Sequence, residues 1–484
     1  MKTAEEYKES LRKMRPNIYK FGKLIEDVTT DPATKRTVES HSRCFAAGYD
    51  PEYEEIFTTT SKLTGEKIFR FNSLMMSEED VIANSRMKRT CYRLTGTCTG
   101  AVCVGWNCQN VMYAVTQDID KEFGTDYHER LKKWILYAQE NSLAVSGALT
   151  DAKGDRSKKP SQQEDLDTNI RVVEKREDGI VIRGAKVMIC GVAAANEIFI
   201  LPGGVYGESD KDFAVACVVP RDIEGLTIIE TTRPSDLREL KDNFDMPKTG
   251  ITQAYLIFDD VFVPNERVFM CGEYKYTRDI ITYFTSTYRA CIGACVAGQG
   301  DVMIGASVLM ARANGLASKI FMDKLIAMSI NNEVTYGLGI GAIALGKQHS
   351  SGVYFPDPLL ANANKVQVAT LPYETKRLAQ EIGGGIVETG CLPAYEDIED
   401  PKYGDKIKKY LKAGQGSGIT RAKIARLVEW LTLGAGVPGT MHGGGSPDGA
   451  RLFVRLFTPF EKYVEYAKKI MDIDEDLQEP QKKK

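Results

Sequence analysis

Apolar residues recur every three to four positions in YKESLRKM, KLIEDV, YEEIF, EEDVIANSRMKRTCYRL and YHERLKKWILYAQENS, which predicts helices with one buried face. TGTCTG interrupts that spacing with glycine and β-branched residues, so a helix end or turn is expected near Cys98. From about residue 140 the signal changes to strands. IRVVEKREDGIVIRGAKVMIC reads as strand, Asp178-Gly179 turn, strand, a strong hairpin signature. EIFILP, FAVACVVP, GLTIIETT and AYLIFDDVFVP continue the set as a small antiparallel barrel or sandwich, with Pro264 and Asn265 closing the last strand. Helical spacing returns in TRDIITYFTSTYRACIGACVAGQGDVMIGASVLMARANG, SKIFMDKLIAMSINNEV, PYETKRLAQEIGG and TRAKIARLVEWLTLGAG. The expected architecture is α+β: an N-terminal helical domain over 1–138, a middle antiparallel β-domain over 139–275 and a C-terminal helical bundle over 276–484.

A chain of 484 residues suits several domains, and 43% hydrophobic with 27% charged residues is ordinary globular composition. A net charge of -3 supplies no basic field, which argues against nucleic acid or a membrane surface as the main partner. The first residues, MKTAEEYKESLRKMRPNIYK, form a charged amphipathic stretch without an apolar leader, and no apolar run of about 20 residues is expected to span a bilayer. A cytoplasmic protein is expected. The eleven cysteines are an odd number in a large chain, so thiols or ligands are favoured over a disulfide framework.

Several motifs carry chemistry only in the right setting. GLGIGAIALG holds a Gly-x-Gly-x-x-Ala string, but it follows helical INNEVTY rather than a strand, and close helix packing is the better reading. His442-Gly443-Gly444-Gly445 is similar to an esterase oxyanion loop, yet no Gly-x-Ser-x-Gly elbow partners it. It reads instead as a loop whose backbone approaches a ligand or a neighbouring subunit. His41, His128, His349 and His442 do not pair at ligand spacing, which disfavours a histidine zinc site. GALTDAKGDRS is a polar loop at the helix-to-strand change, and KVMICGVAAANE sets Cys190-Gly191 at a strand end suited to lie beneath a planar ligand. Tyr288, Cys291 and Cys295 share one face of a helix. Together with Cys91, Cys98, Cys103 and Cys108 they are core thiols or a metal or cluster site.

TAEEYKESLRKM, ENSLAVSGALTDAKGDR, RVVEKREDGIVIRGAK, FDDVFVPNERVF, GDVMIGA, PYETKRLAQEIGGG and MHGGGSP, spread over nearly the whole chain, resemble the family of 4-hydroxybutyryl-CoA dehydratase/vinylacetyl-CoA isomerase and the 4-hydroxyphenylacetate 3-hydroxylases, the dehydratase branch most. The resemblance implies an acyl-CoA dehydrogenase-like fold and FAD held between the β-domain and the C-terminal helices of a homotetramer whose subunits complete each other's sites. Thr150, Asp151, Gly154, Asp155 and Arg156 match one flavin-contacting segment, Met188, Cys190 and Gly191 a second, and Gly383, Gly384 and Gly385 a third. Backbone amides freed by glycine suit phosphates and a flavin edge.

The dehydratase branch also implies a [4Fe-4S] cluster on three cysteines and one histidine. Cys103 and Cys295 match two of the cysteines, the third falls on Thr99 beside Cys98, and the histidine falls on Tyr288. Cys98, Cys103, Cys291 and Cys295 would make an all-thiolate alternative, the commonest cluster environment. Two carboxylates used for acid-base work fall on Gln253 and Gly439, and a threonine near the flavin falls on Cys190. In the hydroxylase branch, an arginine and a tyrosine that hold the phenol fall around Thr99 and Cys103.

Tyr288, Gln253 and Cys190 are therefore the candidate catalytic residues, and Cys98, Cys103, Cys291 and Cys295 the candidate cluster ligands. The resemblance implies a flavin-dependent lyase or isomerase acting on a CoA thioester or similar activated acid. The alternatives are a two-component monooxygenase served by a flavin reductase, another flavin oxidoreductase acting on CH-CH bonds, and a catalytically silent flavin-binding protein.

Overall fold

The computed structural model describes every residue except 153, 233–240, 242–246, 391, 434–442, 476 and 478–484. Gly439 and His442 lie outside the described residues. The N-terminal part holds α1 (Ala4–Arg12), α2 (Lys35–Ala47), α3 (Glu54–Phe57), α4 (Glu78–Thr95), α5 (Val104–Phe123) and α6 (Tyr127–Glu140). Thr3 and Glu6 close a capping box on α1. Ser77 caps α4, three acidic residues fill its first turn, and left-handed Gly96 ends it, so the turn falls where TGTCTG predicts it. Helical spacing misleads at KLIEDV, where Lys23–Ile25 is a strand. A three-residue apolar match is too short to separate the two periods.

The short strands β1 (Ile18–Lys20), β2 (Lys23–Ile25), β3 (Thr58–Thr60) and β4 (Lys67–Phe69) precede β5 (Val145–Ala148), β6 (Arg171–Lys175), β7 (Gly179–Cys190), β8 (Glu197–Ile200), β9 (Val215–Pro220), β10 (Leu226–Glu230), β11 (Gln253–Pro264) and β12 (Val268–Cys271). Two main sheets result, in the orders β2-β1-β10-β11-β7-β6 and β12-β9-β8-β5. The hairpin β6-β7 forms around Asp178-Gly179 as expected. The sheets are not wholly antiparallel: β1 runs parallel to β10 and β5 parallel to β8. Local hairpin signals cannot reveal either pairing, because both join segments distant in sequence. β11 closes at Pro264 as expected, but it is not the last strand, since one helical turn later the chain enters β12 in the other sheet.

The C-terminal part is built on α7 (Thr277–Asn314) and α8 (Lys319–Ala344), with α9 (Pro358–Val368), α10 (Leu371–Gly383) and shorter helices around them. At 38 residues α7 is about 57 Å long. This region is long and apolar enough to cross a membrane, contrary to the sequence expectation, but most of its apolar stretch is buried against neighbouring elements. Small residues explain how closely α7 and α8 approach. A Cβ on Gly339 would lie 2.2 Å from the Ala290 carbonyl oxygen, and one on Gly293 2.4 Å from that of Thr335. Gly339 of GLGIGAIALG thus serves helix packing, while Gly337 has open space beside it. One apolar core joins the N-terminal helices to both sheets and reaches Cys291 of α7, and a second fills the C-terminal helices.

Candidate functional site

The turn after α4, the end of β7 and the middle of α7 meet around the cysteines. Four of them, close in sequence, go four separate ways. Cys91 faces Cys44 inside the N-terminal core, sulfur to sulfur at 3.8 Å. Cys108 is buried against β5, its sulfur 2.9 Å from where a Cβ on Gly147 would stand. Cys98 neighbours Cys190 of β7, and that neighbour together with burial raises its thiol. Cys103 faces Lys88.

Lys88, which sequence reasoning missed, is the unexpected member. It lies on α4 one turn before Cys91 and is buried. Its Nζ faces the Cys103 sulfur and stands 5.3 Å from the centre of the Tyr288 ring. Burial works against its charge, but Cys103, Cys291 and Cys295 more than offset that and hold the ammonium above the ordinary lysine range. Burial in turn raises the Cys103 thiol against the pull of Lys88, and pushes Cys291 up to about 11. Tyr288 is held as a neutral phenol, by burial first and the surrounding thiols second. Gly444, at φ +71°, packs on its ring, and Arg289 donates to the Gly444 carbonyl oxygen at 2.9 Å. The glycine-rich loop therefore approaches α7 of its own chain.

Positions matching the family's cluster ligands, Cys103, Tyr288 and Cys295, thus surround an ammonium. Cys98 neighbours Cys190. Among the described residues no group of three or more His, Cys, Asp or Glu side chains gathers as a metal-ligand set. Cys98, Cys103, Cys291 and Cys295 are not gathered as one four-thiol group among the described residues, and a lysine supplies the positive charge that Cys103, Cys291 and Cys295 face. This donor set does not fit a [4Fe-4S] cluster, and no step below passes through iron.

The sheet side is different in kind. Tyr255 of β11 stands opposite two residues of β7, Val187 and Met188, and this bulge throws Met188 into the left-handed region at φ +58°. Met188 is 54% exposed and Tyr255 47%, so two large apolar side chains lie bare on one sheet face. Gln253 follows the same face and donates from Nε2 to the Cys190 sulfur at 3.2 Å. The neighbouring Cys98 and the hydrogen bond from Gln253 lower the Cys190 thiol, against burial. The loop expected to contact flavin lies alongside, since the Thr150 carbonyl oxygen accepts from the Val187 amide at 2.8 Å. Asp151 is turned inward, where it pairs with buried Lys186 at 2.6 Å. Gly154, Asp155 and Arg156 are exposed beyond it.

A bare apolar face beside a strand end and a polar glycine loop fits the ring and phosphate ends of a flavin nucleotide. The structure brings together two of the three expected flavin segments. Gly383, Gly384 and Gly385 lie apart, at the break after α10, where Gly384 has φ +67° and open space around its Cα. His41 joins the halves of the site. Its Nδ1 donates to the Thr37 carbonyl oxygen at 2.7 Å, and its Nε2 accepts from the Ala101 amide at 3.1 Å in the cysteine turn. Burial lowers it to about 4, so it serves as a neutral brace.

The family models for the N-terminal and C-terminal parts of 4-hydroxyphenylacetate 3-hydroxylase match residues 3–270 and 277–472. The chain is 36% identical to the 4-hydroxybutyryl-CoA dehydratase/vinylacetyl-CoA-Delta-isomerase of Clostridium aminobutyricum, over 97% of this chain and 99% of that one. The solved structure of an oxygen-tolerant archaeal 4-hydroxybutyryl-CoA dehydratase from N. maritimus superposes with a TM-score of 0.94 at 34% identity, covering 100% of this chain and 97% of that one. The oxygenase component of 4-hydroxyphenylacetate 3-monooxygenase, solved with FAD, shares the fold with a TM-score of 0.84 at 22% identity, covering 97% and 98%. Butyryl-CoA dehydrogenase from Megasphaera elsdenii shares it more distantly, with a TM-score of 0.51 at 14% identity, covering 93% and 97%. The chain therefore belongs to the 4-hydroxybutyryl-CoA dehydratase and 4-hydroxyphenylacetate 3-hydroxylase family of enzymes.

Proposed function

We propose that this protein is an FAD-dependent enzyme that dehydrates or isomerises an activated acid of the CoA-thioester class. The observation that carries the reading is the 36% identity to a dehydratase/isomerase along 97% of the chain. FAD would rest on the Met188–Gly191 face beside Thr150, Gly154, Asp155 and Arg156, while Asp151 braces that loop through Lys186. Bound flavin supplies the electron transfer that makes an unactivated C–H bond labile. Tyr288 keeps its proton and so donates a hydrogen bond to a thioester carbonyl. Gln253 cannot transfer a proton as a carboxylate would; it orients Cys190. Lys88 would place a fixed positive charge beside Cys103 and Tyr288 on the helix side.

The finer parts of the reading follow. We infer units at 1–138, 139–275 and 276–484, in line with the order of helices and strands. A cytoplasmic homotetramer agrees with the apolar stripe Met322, Ile326, Ile330 and Val334 left exposed along α8. Gly383, Gly384 and Gly385 would reach the flavin of a second copy.

The test is anaerobic incubation of the flavin-loaded protein with short hydroxyacyl-CoA thioesters, without an added oxidant. Loss of water or migration of a double bond is expected, and light scattering should give the mass of four chains. The hydroxylase family models favour one other reading, a two-component monooxygenase. Inert thioesters, with phenol hydroxylation that needs oxygen and a flavin reductase, would replace the first reading by the second.

A further inference from the structure

Arg289 is a buried cation that the proposed reaction leaves unused. It follows Tyr288 on α7 and is 4% exposed. Its Nε donates to the Gly444 carbonyl oxygen at 2.9 Å, and its Nη1 donates to Oδ1 of buried Asn362 on α9. Both acceptors are neutral. Among the described residues no carboxylate pairs with Arg289, and burial alone acts on the guanidinium, lowering it to about 10. Buried charges are normally matched by a counter-charge, and here the fold supplies none from those residues.

The remaining nitrogen faces an opening. Nη2 has no hydrogen-bond partner among the described residues, and a Cβ on Gly445 would stand 3.0 Å from it. Gly445 is exposed and left-handed at φ +90°, so the residue that borders Nη2 on the solvent side has no side chain to cover it. The Phe453 ring lies against the guanidinium, its centre 5.4 Å from Cζ. Lys365 of α9 is fully buried and offers a ligand no surface, but its charge reaches the same place: burial first and Arg289 second press it down to about 7. An anion at Nη2 would relieve both cations. A phosphate dianion calls for several donors, whereas one free nitrogen edge backed by an aromatic ring suits a carboxylate.

The recess adjoins Tyr288. A Cβ on Gly444 would lie 2.8 Å from Cδ1 of the Tyr288 ring, and the next residue, Gly445, borders Arg289 Nη2. Consecutive Cα atoms are about 3.8 Å apart, so one step along the loop leads from the phenol to the guanidinium. We infer that Arg289, Gly444 and Gly445 form a carboxylate-binding subsite, and that the acyl group of the substrate carries a second carboxylate that ends there. The second half rests on the reading above, in which Tyr288 takes the thioester carbonyl. The substrate is then the CoA monothioester of a short dicarboxylic acid.

Titration calorimetry of the full-length, flavin-loaded protein tests this with two probes, freshly prepared succinyl-CoA and butyryl-CoA, which share four acyl carbons and differ in the second carboxylate. Succinyl-CoA should bind roughly tenfold more tightly, the contribution of one charge-assisted hydrogen bond. Arg289→Gln should abolish that preference. Gly445→Ala, whose methyl group covers Nη2 and spares the bonds to Gly444 and Asn362, should reduce it, and keeps the test open if circular dichroism shows Arg289→Gln misfolded. Equal affinity for the two thioesters in the native protein would overturn the dicarboxylate assignment. Free succinate tests the subsite apart from the thioester reading: with neither thioester bound, succinate that binds the native protein and not Gly445→Ala would keep the subsite and remove the CoA reading. Failure of succinate to bind as well would overturn the subsite, and so would inorganic phosphate binding more tightly than succinate.

Discussion

Two of the buried lysines, Lys186 and Lys88, lie one on each side of the candidate site, and they are held in different ways. Lys186, on the sheet side, gives its ammonium to Asp151 at 2.6 Å and to the carbonyl oxygens of Leu149 and Leu201 at 2.8 and 2.9 Å. A carboxylate and two carbonyls satisfy it, and its charge is structural. Lys88, on the helix side, faces thiols and a phenol ring. Thiols in a buried setting ionise reluctantly, so the charge balance there can change with proton or ligand. The sheet side is a finished scaffold; the helix side is where chemistry can vary.

Removing a partner from each lysine tests the contrast most strongly. Asp151→Asn leaves a buried ammonium without its counter-charge and should destabilise the protein by about 3–5 kcal/mol in urea unfolding. Lys186→Met should cost a similar amount by stranding Asp151. Lys88→Met should cost under about 1.5 kcal/mol, because thiols accept the neutral state and methionine fills the same volume. Equal losses from Lys88→Met and Lys186→Met would make the two lysines alike and end the comparison.

His41 couples the two sides, so pH should act on both. Its depressed value, about 4 against 6.5, means that the folded state resists protonation while the unfolded chain accepts it. Its contribution is complete above about pH 6.5 and is lost as pH falls toward 4. The loss amounts to about 3 kcal/mol for one fully buried ring. His41→Asn should flatten that part of the stability profile. Above pH 7 its loss should be limited to the two hydrogen bonds that the imidazole makes, to Thr37 and Ala101.

These residues also show what a single sequence could and could not convey. The β6-β7 hairpin, the turn at Cys98 and the shared face of Tyr288, Cys291 and Cys295 are local patterns, and they were legible. The role of Asp151 was not, because Lys186 lies 35 residues on and only the β-bridge between them brings the pair together. Lys88 gave no motif at all. A lysine within EEDVIANSRMKRTCYRL resembles a solvated helix residue until α7 is laid against it. A signal did exist: Lys88 and Cys91 are three residues apart, on the same face of one helix as a residue expected in the core. The division of the four thiols into separate pairs depends on β7 and α7 together, which no spacing rule encodes.

The meeting of α7 and α8 offers a milder perturbation of the helix side. Gly339→Ala places a methyl group 2.2 Å from the Ala290 backbone oxygen, which cannot rotate away. The helices must separate, at about 1–3 kcal/mol. Because Tyr288 is two residues from Ala290, the Lys88–Tyr288 contact should loosen as well. Alkylation of Cys103 should then speed up severalfold, and Cys190 on the sheet side should be unchanged. A rise at both thiols would show that the two sides move as one.

The smallest effect expected belongs to Met188. Its left-handed backbone costs about 1–2 kcal/mol for a residue with a side chain, and more than half of that side chain is exposed, so little core packing depends on it. Met188→Gly removes the strain but adds the unfolded-state freedom of glycine, about 0.5–1 kcal/mol. The net gain should be no more than about 1.5 kcal/mol, read as a slightly higher Tm. Flavin affinity should move the other way, because the apolar surface beside Tyr255 is lost. A more stable protein that binds flavin less tightly would mean that the bulge is strained in order to hold Met188 out for a ligand. A less stable one would mean that Met188 is part of the sheet's own packing, and the bare face would then owe its shape to Tyr255 and Gln253 alone.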